Sequence, residues 1–462
     1  MIPAQKQSPL NRGASRKQFP ISPNRRLFHI AGLLLILSLF TGLLVYTVLV
    51  RVRRIRRGPY LQSVTPDSIV VRWRTAGPTP NRVSYGVNPV YLNQVTGNGE
   101  ITTEHSVCIS GLQPNTKYFY RVATGIEVPT RGAAEFSFTT APAPGSYQPI
   151  RVWVLGDSGT ATDEAVAVRD AYERFTAQRR TDLWLMLGDN AYRRGTDQEY
   201  QRALFDEYPA LLSCIPLWPT PGNHDYQSCS LTAQTGVYYD IFTLPTLGQA
   251  GGTPSGSEAY YSFDHGNAHF ISLDSNQTNF SESNPMLPWL RADLRSNRRD
   301  WTIAYFHHPP YTKGSHDSDD SKDHMRDMRE HIVPLLETGG VDLVLSGHSH
   351  SYERSFLLDG HLGKSDTFNR HYKKDGGDGR EDGQRAYHKP TLGPAPNEGT
   401  VYVVVGCSGK TSGGRLDHPA MLVSTNSLGS LVLDINSNRL DATFINAQAE
   451  RMDYFTIIKG VH

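Results

Sequence analysis

Five short fragments of this 462-residue chain carry side chains that can bind metal ions. They combine aspartate, asparagine, histidine and tyrosine, and they read GDSG from 156, GDNAY from 188, GNHD from 222, HHPPY from 307 and GHSH from 347. Carboxylate, amide and imidazole groups suit hard and borderline metal ions. One such fragment is weak evidence, but five in one chain indicate a shared site.

Apolar runs of strand length position these fragments. VWVL, LWLML, TIAYF and VDLVLS directly precede four of them, and the shorter, proline-interrupted stretch 215–220 leads into the fragment at 222. Because neighbouring parallel strands end at the same edge of a sheet, the polar side chains should meet there. The sequence therefore predicts one site at a sheet edge.

Two carboxylates, Asp157 and Asp189, form the centre of this prediction. They end consecutive predicted strands, where unpaired carboxylates would repel each other and a cation removes the repulsion. Four further candidate ligands make the set large enough for two metal ions: Asn223, His307, His348 and His350. In such sites the ions lie ~3.5–4 Å apart and hold the oxygens of an in-line displacement. Asp189 is the predicted bridge.

The region 147–462 alternates strands with helical stretches, which predicts a layered α/β domain. The predicted helices are Thr162–Gln178, Thr196–Leu212, Met286–Arg295 and Ser321–Glu337. The polar insertion 359–396 is expected to be a surface loop, either a functional lid or a partly disordered segment. A closing β-hairpin is predicted over 429–444.

The region 58–142 instead shows short alternating strands separated by turns, as at 68–74 and 117–122. About 85 residues of this kind predict an all-β sandwich of the fibronectin type III sort. Trp73 and Tyr120 are its predicted core residues, and nothing catalytic stands out in it.

The N-terminal segment is first basic and then apolar. Residues 1–26 contain lysine and arginine but no acid, which predicts a disordered basic tail. Residues 27–50 would rise ~36 Å as a helix, enough to cross a ~30 Å hydrocarbon core, and predict a transmembrane anchor. A cleaved signal peptide is the alternative. Arginines on both sides leave the orientation bias nearly balanced.

The overall composition excludes one class of partner. The net charge is +1 and 20% of the residues are charged, which provides no global field for nucleic acid. Four cysteines are too few for a disulfide scaffold. Cys214 and Cys229 could pair around the fragment at 222, whereas Cys108 and Cys407 are expected to be small buried apolar residues.

These fragments resemble those of the calcineurin-like metallophosphoesterase superfamily. Tyr192, three residues after Asp189, is similar to the tyrosine that distinguishes purple acid phosphatases. The segment 57–62, RGPYLQ, resembles the domain that precedes the catalytic one in large purple acid phosphatases, and 347–354, GHSHSYER, is similar to that family. The resemblance covers about 58–462 and implies a layered β-sandwich flanked by helices.

The resemblance implies ligands for two different ions. The ligands of a ferric ion would be Asp157, Asp189, Tyr192 and His350. Asp189 would also bridge to a divalent ion, Fe, Zn or Mn, whose remaining ligands would be Asn223, His307 and His348. Phenolate ligation suits a hard trivalent cation, which also acidifies bound water.

The resemblance also implies catalytic roles for two histidines. His224 would donate to a phosphate oxygen, and His316 would protonate the leaving alkoxide. Alternatives stay open at three positions. His308 could take the place of His307, Tyr192 could be an ordinary packed tyrosine, and His316 could be an exposed loop residue.

The expected function is hydrolysis of phosphate monoesters by attack of a metal-bound hydroxide. The apolar segment 27–50 predicts a membrane-anchored enzyme, and the resemblance implies that its catalytic domain lies outside the cytosol, in a periplasm or at the cell surface. A phosphodiesterase or nucleotide hydrolase on the same metals is the alternative. An inert surface-binding protein is a third possibility, but an inert site should have lost a ligand, and none is missing.

Overall fold

The structure, a computed structural model, describes most of the chain. The described ranges are 23–52, 54–124, 136–177, 179–230, 233–276, 280–281, 283–320 and 324–460. The first helix, α1, spans Pro23–Val52, and its side chains are described at 27–28 and 30–43.

The predicted transmembrane anchor over 27–50 is not supported. Within the described ranges, no helix has an apolar stretch long enough to cross a membrane, which takes roughly 20 residues. The predicted basic tail, 1–26, lies outside the described residues except where α1 begins, and it stays a prediction.

A three-stranded and a four-stranded sheet form the N-terminal domain. Their strands are β1 (Ile55–Gln62), β2 (Ser68–Pro80), β3 (Val83–Gly86), β4 (Gln94–Thr96), β5 (Ile101–Ser110), β6 (Lys117–Val122) and β7 (Phe136–Thr139). The sheet orders are β1-β2-β5 and β4-β3-β6-β7. Trp73 and Tyr120 are buried core residues, as predicted. The domain is β-rich as expected, and its likeness to fibronectin type III stays a prediction.

Ion pairs and a hydrogen bond join this domain to the rest of the protein. The buried Arg57 forms an ion pair with Asp197 at 2.8 Å, and Arg74 reaches the other oxygen of the same carboxylate at 2.6 Å. The Tyr60 hydroxyl donates to the carbonyl of Ile241 at 2.7 Å. The first two strands of the domain are thus anchored on the larger α/β region.

The α/β region supplies the remaining elements. Its strands are β8 (Ile150–Leu155), β9 (Leu183–Met186), β10 (Leu217–Pro219), β11 (Cys229–Ser230), β12 (Thr235–Gly236), β13 (Tyr261–His265), β14 (Ala268–Ser272), β15 (Trp301–Phe306), β16 (Leu343–Ser346), β17 (Tyr352–Leu358), β18 (Lys373–Asp375), β19 (Tyr387–Lys389), β20 (Thr400–Val405), β21 (Met421–Thr425), β22 (Gly429–Asn436), β23 (Arg439–Asn446) and β24 (Arg451–Lys459). Its α-helices are α2 (Asp163–Thr176), α3 (Asp197–Tyr200), α4 (Pro209–Leu212), α5 (Val237–Ile241), α6 (Met286–Ser296), α7 (Met325–Asp327) and α8 (Val333–Thr338).

Most of these strands form two large sheets. The first has the order β10-β9-β8-β22-β23-β24-β19, and the second has the order β13-β14-β15-β16-β20-β17-β18, with β21 paired to β17. Strands β10, β9 and β8 are parallel, and so are β14, β15, β16 and β20. In each sheet, the parallel strands end at one edge.

The two sheets share an apolar core and are covered by helices. Val152 and Val154 of the first sheet belong to the same buried cluster as Ile303 and Leu345 of the second. Helices α6 and α8 cover the second sheet through another apolar cluster, and α2 packs on β22 and β23. The predicted layered sandwich flanked by helices is confirmed.

Two of the predicted helices are interrupted. The one predicted over 196–212 consists of α3, a π-helical turn and α4, with the break at Tyr208, whose φ is −119°. Pro209 explains this break, because the residue before a proline avoids the helical region. The helix predicted over 321–337 consists of α7, a second π-helical turn and α8, which begins next to Pro334.

Three further expectations concern the surface and the cysteines. The insertion 359–396 is described throughout and contributes β18 and β19, and the closing hairpin is confirmed by the pairing of β22 with β23. Cys214 and Cys229 are both free, so the suggested disulfide is not formed. Cys407 is buried as expected, but Cys108 is exposed, because alternate residues of β5 face solvent.

Candidate metal centre

The predicted ligands lie where parallel strands end. Asp157 follows β8, Asp189 follows β9, His307 follows β15 directly and His348 follows β16. Asp157, Asp189 and His348 have left-handed backbones, with φ of 56°, 52° and 64°. Such values are uncommon outside glycine. The chain therefore turns sharply just after each strand and directs these side chains to one place.

Glycines allow the loops to approach each other closely. A Cβ atom at Gly222 would lie 2.2 Å from the backbone nitrogen of Asp189, and a Cβ atom at Gly347 would lie 2.5 Å from Asp157 Oδ2. Real Cβ atoms do not come that close to other heavy atoms. Close packing therefore requires glycine at these two positions, directly before the polar residues of their fragments.

One half of the site contains mostly oxygen donors. The Tyr192 hydroxyl is 2.9 Å from Asp157 Oδ1 and 3.3 Å from His350 Nε2. His350 Nε2 is itself 3.4 Å from the same Asp157 oxygen. A carboxylate, a phenol and an imidazole thus converge in a space the size of one ion, and we call these three residues the tyrosine half.

The other half contains mostly nitrogen and amide donors. His307 Nε2 lies at its centre, 3.1 Å from Asn223 Oδ1, 3.2 Å from His348 Nδ1 and 3.4 Å from Asp189 Oδ1. Among the described residues, Asp157, Asp189 and His307 also form a group whose ligand atoms lie within 4.8 Å of one another. We call the set around His307 the histidine half.

Hydrogen bonds away from the site orient the imidazole rings. His307 Nδ1 is 2.8 Å from the carbonyl oxygen of Leu187, which can only accept, so Nδ1 carries the hydrogen. His350 Nδ1 is 2.7 Å from Ser412 Oγ. Such outer partners fix the tautomer of a metal-binding histidine and aim the other nitrogen at the ion.

The pKa values show an unbalanced charge at the centre. Burial lowers the pKa of His307, but the carboxylates of Asp189 and Asp157 outweigh it and raise that pKa to about 9. Burial raises the pKa of Asp189, and the neighbouring His307 and His224 bring it below its ordinary value. The buried carboxylates thus stabilise a proton on His307. A bound metal cation would neutralise the same carboxylates in its place.

Asp225, the last residue of the GNHD fragment, supports two of the ligand loops from behind. Its carboxylate accepts hydrogen bonds from the backbone nitrogens of Asn190 and Gly222, and from the Tyr200 hydroxyl at 2.7 Å. Burial and the nearby Asp189 raise its pKa to about 6. Asp225 is therefore a structural partner of the ligand loops.

The predicted catalytic residue His224 lies at the rim of the site. Its backbone nitrogen donates to Asp189 Oδ1 at 2.9 Å, and its Nε2 atom is 3.9 Å from Asp189 Oδ2. His224 Nδ1 is 2.6 Å from the carbonyl oxygen of Arg193, which leaves Nε2 directed towards the carboxylate. Its side chain is 29% exposed, so it can meet a molecule from solvent.

His316 also reaches the site. Its ring stacks on that of His348 at 4.0 Å between centroids and lies 6.1 Å from that of His350. The loop that carries it is fixed by the buried Arg329, which donates to the carbonyl of Ser318 at 2.7 Å. The alternative, a plainly solvent-exposed loop histidine, does not match this half-buried position.

His308 lies next to the predicted ligand and has a different partner. Its Nδ1 atom is 2.9 Å from Ser275 Oγ, and its ring is 4.4 Å from that of His348. Burial, then the neighbouring His348 and His307, keep the pKa of His308 well below its ordinary value. Asn223 contacts His307. The ligand atoms of His307, His308 and His348 lie within 4.8 Å of one another, so His307 stays the predicted ligand and His308 its alternative.

One loop of the site was missed from the sequence. It follows β20 and reads GCSGKTSGG from 406 to 414. Ser412 contacts His350, and the ammonium of Lys410 lies 4.0 Å from the centroid of the Tyr192 ring. The signal was present, because this polar, glycine-rich segment also directly follows an apolar strand, VYVVV.

Comparisons with known proteins match both the N-terminal domain and the α/β region. Residues 150–352 match the family described as calcineurin-like phosphoesterase, and residues 58–140 match the purple acid phosphatase N-terminal domain. The chain is 31% identical to purple acid phosphatase 21 of Arabidopsis thaliana, over 59% of this chain and 60% of that protein. It is 29% identical to acid phosphatase type 7 of Homo sapiens, over 63% of this chain and 68% of that protein.

The matched segment covers only part of these relatives. For purple acid phosphatase 15 of Arabidopsis thaliana, which is 30% identical, it spans 49% of that protein's length. The chain thus spans about half to two thirds of the curated relatives that it matches.

Solved structures agree on the fold. A purple acid phosphatase from yellow lupin (Lupinus luteus) seeds gives a TM-score of 0.64 at 17% identity and covers 87% of this chain and 75% of that chain. A structure of PhoD gives 0.57 at 15% identity, over 86% and 88%. At such identities the likeness concerns the fold alone.

The two-sheet sandwich brings aspartate, asparagine and histidine side chains together at its strand ends. The chain matches a calcineurin-like phosphoesterase domain and a purple acid phosphatase N-terminal domain, and it is similar to purple acid phosphatases. The curated relatives named above are all phosphatases.

Proposed function

We propose that this protein is a dimetal phosphatase that hydrolyses phosphate monoesters. The observation that carries the proposal is the convergence of donor atoms in two adjacent groups, the tyrosine half and the histidine half. Within each half, neighbouring donor atoms are 2.9 to 3.4 Å apart. Ligands that bind one ion at roughly 2.0–2.2 Å are separated by about this distance.

The chemistry of the two halves supports two different ions. The tyrosine half offers a phenol oxygen and a carboxylate and suits a hard ferric ion, whereas the histidine half suits divalent Fe, Zn or Mn. Asp189 would be the shared ligand, because it lies 3.4 Å from His307 of the histidine half and also interacts with the Tyr192 hydroxyl of the tyrosine half. When bound, the two ions supply Lewis acidity and lower the pKa of bound water.

Two histidines of the chain would act on the substrate itself. His224 presents Nε2 at the exposed rim and would donate to a phosphate oxygen, which orients the ester and offsets its charge. His316 stacks beside His348 and would give a proton to the leaving alkoxide. Arg329 holds the loop of His316, so this general acid would stay in reach of the leaving group.

The location of the protein is a separate proposal. The resemblance to purple acid phosphatases supports a catalytic domain outside the cytosol, and the sequence shows no feature that favours nucleic acid as a partner. Protease protection in intact cells checks this. The catalytic domain should be digested from outside, and full protection would contradict the proposal.

Metal analysis combined with a substrate comparison tests the proposed function. The purified full chain should bind about two metal ions, iron among them, and hydrolyse 4-nitrophenyl phosphate faster than bis(4-nitrophenyl) phosphate. A clear preference for the diester would instead establish the phosphodiesterase alternative. Two metal ions without turnover of either ester would establish an inert binding protein.

A pair of variants assigns the activity to the histidine half. Asn223→Ala removes an amide ligand and should lower the content of divalent metal and the turnover together. Asp67→Ala removes an exposed carboxylate from the N-terminal domain and should change neither. Equal turnover in Asn223→Ala and wild type would contradict the proposed ligand set.

A further inference from the structure

Lys410 contacts Tyr192, the residue that the proposed function makes a ferric ligand. The Lys410 Nζ atom is 4.0 Å from the centroid of the Tyr192 ring. An ammonium group and an aromatic ring attract each other within roughly 6 Å. The Tyr192 hydroxyl is 2.9 Å from Asp157 Oδ1. A positive charge therefore lies against the ring of a tyrosine whose oxygen points into the metal centre.

The backbone on both sides holds Lys410 in this place. The carbonyl of Gly409 accepts a hydrogen bond from Thr160 Oγ1 at 3.3 Å. On the other side, the backbone nitrogen of Ser412 donates to the carbonyl of His350 at 3.3 Å, and the Ser412 hydroxyl is 2.7 Å from His350 Nδ1. Lys410 thus belongs to a loop that hydrogen bonds attach to His350 of the tyrosine half. The same hydrogen bonds hold the Lys410 side chain against the Tyr192 ring.

In the part of the chain that the structure describes, the Lys410 ammonium forms no ion pair. Lys313, in the neighbouring loop, differs in this respect, because it is paired with Asp317 at 2.7 Å and with Asp319 at 3.0 Å. The field of Lys410 therefore acts mainly on the Tyr192 ring.

We propose that Lys410 is a positioning residue that tunes the electronic state of Tyr192 as a metal ligand. This inference rests on the proposed function, since it requires Tyr192 to bind a ferric ion. An ammonium against the ring stabilises the electron-rich phenolate, so more energy is needed to move an electron from the phenolate to the metal. Without that ammonium, the phenolate-to-iron charge-transfer absorption moves to lower energy.

The visible spectrum of the oxidised holoenzyme tests this inference. Lys410→Met should move the absorption maximum to longer wavelength by roughly 10–20 nm, the size expected when an ammonium–ring attraction is lost. Lys410→Arg keeps the charge and should stay close to wild type. Lys410→Gln, a second neutral variant, should shift like Lys410→Met and serves if Lys410→Met loses iron.

A matched control removes the same kind of contact elsewhere. Lys373 Nζ lies 3.3 Å from the centroid of the Phe356 ring, in the polar insertion. Lys373→Met should leave the absorption maximum unchanged, because neither residue contacts a candidate ligand. Both lysine variants should be compared at equal iron content.

The possible outcomes separate this inference from the proposed function. A coloured wild-type protein whose maximum is the same in both neutral variants would overturn the role of Lys410 and leave the dimetal phosphatase intact. A wild-type protein that is colourless with both metals bound would overturn the ferric assignment, and the inference with it. A shift in both neutral variants but not in Lys410→Arg or Lys373→Met would support it.

Discussion

Two buried clusters in this protein each place one histidine beside two carboxylates. One is the centre of the proposed metal site, formed by His307, Asp157 and Asp189. The other, which we call the hairpin cluster, is formed by His269, Asp264 and Asp293. Burial lowers the pKa of both histidines, but the carboxylates outweigh it and raise each pKa to about 9.

The clusters differ in what the two ring nitrogens of the histidine face. His269 Nδ1 is 2.7 Å from Asp264 and its Nε2 is 2.8 Å from Asp293, so both nitrogens donate to carboxylates. This imidazolium joins the hairpin β13–β14 to helix α6. His307 instead uses Nδ1 on the carbonyl of Leu187, and its Nε2 faces an amide and another imidazole.

The comparison shows that composition alone does not define a metal site. Both clusters have the same residue types, with Asp264 the more exposed carboxylate, but only the one around His307 adds a phenol, an amide and further imidazoles. A proton satisfies the hairpin cluster completely. In the metal site, a proton on His307 leaves the phenol, the amide and two further imidazoles without a shared cation.

The largest expected effect comes from removing one carboxylate of each cluster. Asp189→Ala should abolish binding of both ions and lower turnover of an aryl phosphate by at least ~10³-fold, because the shared ligand serves both ions. Asp293→Ala should cost up to about 3–5 kcal/mol of stability, since it removes one of the two carboxylates that neutralise the buried His269 charge, yet keep both ions. Metal analysis, activity and urea unfolding measure these effects.

The contrast would fail if the two variants behaved alike. An Asp189→Ala protein that keeps half of its turnover would contradict the metal assignment. Loss of metal from Asp293→Ala in its folded state would show that the hairpin cluster is not independent of the site.

A smaller effect concerns the pH dependence of stability. The folded pKa of His269, about 9, lies above its unfolded value of roughly 6.5. The stabilisation is therefore complete below about pH 6.5 and is lost as the pH rises through about 9, up to about 3 kcal/mol in all. Urea unfolding between pH 6 and 10 should show this decline.

A variant isolates the contribution of His269. The charged groups that face its ring are Asp264, Asp293 and, through Asp264, Arg299. His269→Gln should be less stable at pH 6.5 and should lack the extra decline between about pH 6.5 and about pH 9. The same decline in both proteins would assign it to other groups.

The sequence was sufficient to predict that the candidate ligands come together. Apolar runs followed by GD or GH mark strand ends, and the fold brings those ends together as predicted. It was not sufficient for His316, because no local pattern reveals that its loop is held by Arg329 against the site. The break at Tyr208 was readable from Pro209, whereas the outward direction of Cys108 depends on the register of β5.

The membrane anchor shows a different limit. Hydropathy alone predicted a span over 27–50, and the described part of the chain contains no helix long and apolar enough for one.

The hairpin cluster went unnoticed for a physical reason, since its three residues come from β13, β14 and α6 and carry no motif. Long-range pairing of single polar residues is not encoded in any short pattern.

The visible spectrum of the metal-loaded protein, with that of Tyr192→Phe, tests the central claim most directly. A tyrosinate bound to ferric iron absorbs visible light, so the oxidised wild-type protein should be pink to violet. Tyr192→Phe keeps the ring and deletes the ligand oxygen, so the colour should vanish while the fold survives and activity falls only modestly. A colourless wild-type protein with both sites filled and no iron would contradict the account, and Tyr192 would then be a packing residue.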